Sequence, residues 1–116
     1  MAKQPKQLDE YQQQAAQFAN DAARLGLDND FLFRTALERY TVQVQVLQRL
    51  KSEIDQQAAT VKREYVRGSA STYANPLISE FNKTASAANQ TCSLLAKLKN
   101  EAEKHAEEMD FLSLEL

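Results

Sequence analysis

The chain has two glycines, two prolines, one cysteine, one histidine and no tryptophan in 116 residues. So few glycines cannot build a phosphate-cradling loop, and no Walker or dinucleotide fingerprint is present. A single cysteine, Cys92, rules out an intramolecular disulfide. On an apolar helical stripe it reads as a small hydrophobe, in keeping with a reducing compartment. No apolar run approaches the length of a membrane span, and the opening "MAKQPKQLDEY" lacks the apolar region of a signal peptide. The sequence therefore predicts a soluble intracellular protein with no membrane partner. His105 is the one imidazole, with Glu101 and Glu108 a helical turn away on either side. Charged pairs on a solvated helix are the commoner arrangement, so no metal or cofactor is expected. Glu107 and Glu108 point to different faces with nothing to desolvate them, and Ser69, Ser71 and Ser79 have no histidine nearby. No catalytic residue is expected, and the chain reads as a non-enzyme.

What is present is helical periodicity and uneven charge. The formal net charge is −2, but residues 1–99 carry 13 Lys/Arg against 10 Asp/Glu, while residues 100–116 carry one Lys against six acids. A mildly basic body thus precedes an acidic end, and no overall field draws the chain to nucleic acid.

Leu8, Tyr11, Ala15, Phe18, Ala22 and Leu25 recur at steps of three and four, predicting a first helix over about 8–25 after a flexible stretch at 1–7. Gly26 is placed to stop it in a left-handed conformation, with Leu27 folding back behind it. Asp28, Asn29 and Asp30 can each accept from the free amides of a new helix. The second helix is expected over about 30–57, carried by Phe33, Leu37, Tyr40, Val44, Leu47, Ile54 and Ala58, with Lys51 interrupting. Asn75-Pro76 suits a cap and first turn. The third helix is expected over about 76–103, carried by Ile78, Phe81, Ala85, Ala88, Cys92, Leu95 and Ala102, with Lys99 interrupting.

Between the long helices, Val61, Tyr65, Val66, Thr72 and Tyr73 favour strands around a turn at Arg67–Ala70, predicting a small β-hairpin over about 60–74. The expected fold is mainly α: one domain over 8–104, with an N-terminal helix, then a long antiparallel helical hairpin tipped by the β-hairpin, then an acidic-hydrophobic tail at 105–116.

Three stretches carry a family likeness: "AAQFANDAARLGLDNDFLFRTALERY", "QVQVLQRLKSEIDQQAATVKREYVRGSASTYANP" and "YANPLISEFNKTASAANQTCSLLAKL". Together they resemble the compact helical-hairpin branch of the phage terminase small subunits. The likeness covers roughly residues 11–98. The family pattern continues into a Gly-Leu turn and a proline-containing tail, whereas this chain goes on as "KNEAEKHAEEMDFLSLEL". The resemblance implies a non-enzymatic, ring-forming packaging factor in the cytoplasm of a bacterial host. Such a factor engages double-stranded viral DNA and regulates the large terminase subunit's ATPase and nuclease.

Apolar residues off the main stripes point to self-assembly. Val42, Val46 and Leu50 form a second row on the long helix; Leu77, Leu94 and Leu98 lie on or beside another on the last helix. One short helix is expected to be insufficient to cover both rows, which favours a cyclic homo-oligomer. Lys62, Arg63 and Arg67 at the hairpin, Arg34 and Arg39 on the long helix, and Lys3 and Lys6 at the start are candidate DNA contacts. Repeated around a ring, a few cations per chain become a belt that binds phosphate without reading sequence. Phe111, Leu112, Leu114 and Leu116 form an apolar stub on an acidic leash, suited to docking in a partner's groove. The competing reading is a structural or adaptor phage protein, a helical-hairpin oligomer with no role on DNA.

Overall fold

The computed structural model describes residues 6–66 and 76–115, with side chains placed for 9–58 and 76–112. Three α-helices and one short 3-10 turn make up these residues: α1 Lys6–Leu25, the turn Leu27–Asn29, α2 Phe31–Val66 and α3 Pro76–Glu115. The expected mainly α fold is present, and no strand occurs among the described residues.

The junction between α1 and α2 follows from local chemistry. Gly26 sits at φ 72°, in the left-handed region where an L side chain is strained. Leu27 turns inward and packs against the core. Asp30 then caps α2, its Oδ1 accepting from the Phe33 amide at 2.9 Å, which satisfies one of the free donors of the first turn. The Asp30 carbonyl accepts from Arg34 N at 2.9 Å, closing the first helical bond.

Three pairings set the direction of the helices. Tyr11 and Phe18 of α1 meet Tyr40 of α2, and Phe18 also meets Phe33, so α1 runs antiparallel to α2. Tyr11 pairs with Asn89, Asp21 with Lys99 and Arg24 with Glu103, so α1 runs parallel to α3. The long helices are therefore antiparallel. At ~1.5 Å per residue they span about 54 and 60 Å.

The core is one cluster around Phe18, Phe33, Tyr40, Leu47 and Leu95, with Ala22, Ala36 and Ala88 letting the backbones approach. Phe18 stacks edge-on against Phe33 and Tyr40, with centroids 6.4 and 6.2 Å apart at 78° and 76°. Such pairs add about 0.5–1.5 kcal/mol each beyond burial. On α3 the inward residues Phe81, Ala88, Leu95 and Ala102 repeat every seventh position, interleaved with Leu77, Thr84, Thr91 and Leu98. That 3.5-residue spacing is the seam of a coiled-coil-like pair.

Two boundaries depart from the sequence reading. Residues 60–66, expected to start a β-hairpin, are instead the end of α2. Extending an existing helix costs little once it is nucleated, and Lys62, Arg63 and Glu64 are good helix formers. A two-stranded hairpin, by contrast, is marginal alone. The rest of the expected hairpin, with its Asn75 cap, lies outside the described residues. At the other end, α3 does not stop near Glu103 but continues to Glu115. Eight of the twelve residues 104–115 are Glu, Leu, Met, Ala or Lys, all good helix formers, and neither glycine nor proline interrupts them.

The result is a rod of 79 × 28 × 18 Å with a radius of gyration of 20.3 Å, against about 13 Å for a compact chain of this length.

Candidate interaction surfaces

A charged network fixes how α1 lies on α3. Asp21 is 2% exposed, a costly place for a carboxylate unless it is paired. Lys99 Nζ lies 3.2 Å from Oδ2, while Arg24 and Gln17 donate to Oδ1 at 3.2 and 3.3 Å. Arg24 also bonds Glu103 Oε1 at 2.8 Å. Burial pushes the Asp21 carboxyl up, but the Lys99, Arg24 and Gln17 contacts outweigh it and hold the pKa below the usual carboxylate value. The Lys99 interruption of the apolar stripe is thereby explained: it faces inward because a buried anion waits there. Lys51, the other interruption, pairs with Asp55 one turn on, at 2.9 Å.

Beside the core, Glu10, Tyr11, Tyr40, Asn89 and Cys92 line a shallow groove of about 280 Å³. Tyr11 donates to Asn89 Oδ1 at 3.1 Å. Burial pushes the Cys92 thiol pKa up, partly offset by the Tyr40 hydroxyl, and burial likewise raises the Tyr40 phenol. Both groups stay protonated at neutral pH, so the groove presents a thiol and a phenol and no thiolate. His105 stands apart, exposed on α3 with Glu101 and Glu108. Among the described residues no three His, Cys, Asp or Glu side chains come together as a metal-binding group.

The more telling surface is apolar. Among the described residues, the exposed large hydrophobics are Phe31, Leu32, Val42, Ile78, Met109, Phe111 and Leu112. Tyr40 meets Cys92 across the helix pair, so in antiparallel register Phe31 lies level with about residue 101. Arg24 of α1 still reaches Glu103; beyond it α3 overhangs, and every described side chain from Lys104 to Leu112 is exposed. Among the described residues, five of these seven thus lie toward one end of the rod: Phe31 and Leu32 at the start of α2, and Met109, Phe111 and Leu112 on the overhang. Along the overhang, Lys104, Glu107, Glu108, Phe111 and Leu112 line an open surface depression of about 680 Å³.

The residues expected at an oligomer interface divide. Val42 is 55% exposed and Val46 is half-buried, both on the outer side of α2. Leu50 is only 8% exposed and is a correction: it turns inward near Leu47 and is already covered by its own chain. Leu94 and Leu98 are partly buried against the core, and Leu77 is half-buried. Of the tail residues, Phe111 and Leu112 are exposed at 60% and 54%. Leu114 lies in α3 with its side chain outside the described set, and Leu116 lies outside it.

Of the candidate DNA contacts, Arg34 and Arg39 are exposed on α2 and have no ion-pair partner among the described residues. Lys62 and Arg63 belong to the last turns of α2 and Lys6 begins α1, but their side chains are outside the described set. Lys3 and Arg67 lie outside it entirely. Among the described side chains, only Arg34 and Arg39 of this set are placed.

Sequence reasoning missed Phe31, Leu32, Met109 and Asp21. The run Phe31-Leu32-Phe33 held a signal, since three consecutive apolar residues cannot share one helical face. No helix among the described residues is long and apolar enough to cross a membrane. No protein-family model matches the chain, and neither a curated protein nor a solved structure matches it.

Proposed function

We propose that this chain is a non-enzymatic assembly factor that works as a homo-oligomer, closed into a ring. The supporting observation is surface. The chain exposes 8660 Å², whereas a compact monomer of 13.1 kDa exposes about 6,400 Å². The excess, roughly 2,300 Å², is more than the ~800 Å² that one partner contributes to a standard interface. Two neighbours per chain, as in a ring, use it well. The cluster of exposed hydrophobics at one end is the part of that surface least compatible with water.

Within that class, the sequence resemblance favours the small terminase subunit of a bacteriophage packaging motor, acting in the host cytoplasm. In this reading the ring engages double-stranded viral DNA through Arg34, Lys62, Arg63, Arg67, Lys3 and Lys6, and regulates the large subunit's ATPase and nuclease. The exposed Phe111 side of the α3 overhang is the docking site for that large subunit.

The test uses purified chain with a cognate large subunit and linear duplex DNA. A changed ATPase rate, together with salt-sensitive DNA retardation that falls when Lys62, Arg63 and Arg67 are reversed in charge, supports the packaging role. An oligomer that alters neither is the structural or adaptor protein without a DNA role.

A further inference from the structure

We infer that the α3 overhang of one copy seats on the outer face of α2 of the next copy, so that a single repeated contact propagates the assembly. This rests on the homo-oligomer reading above and specifies its geometry.

Two complementary stripes carry it. On the outer side of α2, away from the core, Leu32, Thr35, Arg39, Val42, Val46 and Arg49 follow one another at steps of three, four, three, four and three. That is a second seven-residue repeat, turned away from the one that packs inside the chain. Leu32 and Val42 are 50% and 55% exposed. Arg39 and Arg49 stand exposed in the stripe with no ion-pair partner among the described residues.

The overhang offers the reverse charge. The inward seam of α3 does not end where α1 and α2 end. It runs on through the half-buried Ala102 to His105, Met109 and Leu112, which are exposed, with Glu101 and Glu108 along its edge. Both glutamates are exposed and likewise have no ion-pair partner among the described residues. An apolar stripe edged by acids thus faces an apolar stripe carrying arginines, each with spare charge.

The occupant is a sister overhang on α2, not a pair of overhangs on each other. Two overhangs packed antiparallel set Glu101 and Glu108 against their own copies, which is repulsive. Packed parallel, they set the glutamates against Ala106 and Ser113, with no charge gained. Seated on the α2 stripe, they meet Arg39 and Arg49 instead. The shorter stripe fits within the longer: residues 102–112 span about 15 Å of helix and residues 32–49 about 26 Å. Because the two stripes lie on different faces, the contact is heterologous, the type that generates rings when the rotation closes.

Sedimentation velocity on four chains tests this: the parent, R39E/R49E, E101R/E108R, and all four reversals together. Each double reversal is expected to weaken self-association at least about tenfold, and the fourfold variant to recover it. Circular dichroism verifies that each remains helical. A second measurement does not depend on charge reversal: Val42→Cys and Met109→Cys are placed on separate chains, each in a Cys92→Ala background, mixed and mildly oxidised. A heterodimeric disulfide is expected. An oligomeric parent with unaffected double reversals, an unrecovered fourfold variant, or no Val42→Cys/Met109→Cys cross-link overturns the contact while leaving the homo-oligomer standing. A parent that sediments as a single 13.1 kDa chain overturns both.

Discussion

Replacing Lys99 with methionine keeps most of the side-chain stem but removes the ammonium, leaving Asp21 buried without its α3 partner. Stripping one member from a fully buried ion pair costs about 3–5 kcal/mol. Two features reduce that here. The Lys99 side chain is 28% exposed, and Arg24 still reaches the carboxylate at 3.2 Å from a position that is 55% exposed. The expected loss is therefore about 2 kcal/mol at pH 7. Acid provides an independent reading. Because the folded Asp21 carboxyl titrates below its ordinary value of 3.8, its contribution is complete above the unfolded value. It is lost as pH falls through the folded one. Lys99→Met moves the folded value upward, so the parent loses more stability than the variant between about pH 5 and 3 and the gap narrows. Urea melts of both proteins at one concentration, across that range, measure it. Asp21→Asn with the double variant completes a coupling cycle. A gap under about 0.5 kcal/mol at pH 7, or one unchanged down to pH 3, refutes the idea that Lys99 compensates a buried charge.

Phe18→Ala removes the ring that two aromatic neighbours pack against, and should cost about 3–5 kcal/mol in the same melts; a loss below 1 kcal/mol places Phe18 outside the core. Gly26→Ala meets no neighbour within 4 Å of the added Cβ, so its cost should be only the left-handed strain, about 1 kcal/mol. Cys92, its thiol raised by burial, should react with a thiol reagent at pH 8 several-fold more slowly than in the urea-unfolded chain; equal rates contradict the burial. Tyr40, whose phenol is also raised, should remain un-ionised near pH 10 in a spectrophotometric titration, when an ordinary tyrosine is half titrated.

The helices were legible where periodicity, caps and stops agreed. Tyr11, Phe18 and Ala22 marked α1, Gly26 ended it, Asp30 capped α2 and Pro76 opened α3. What misled was local preference read without context. Val61, Tyr65 and Val66 favour strands, yet they follow a helix already 30 residues long, which propagates more cheaply than a strand pair starts. The acidic change after Asn100 was read as a break in structure, although charge sets solvation and not backbone shape. Leu50 shares a row with Val42 and Val46 yet is buried, because spacing along one helix does not reveal which members of a row the folded chain covers. Lys99 and Asp21 could not be paired in advance, since their contact depends on α1 lying parallel to α3.

The central claim is that this rod works in company. The decisive quantity is the absolute mass of the 116-residue chain by light scattering at micromolar concentration and physiological salt. A discrete species at a whole multiple of 13.1 kDa is expected. A single stable species of one chain's mass, persisting as concentration rises, contradicts it.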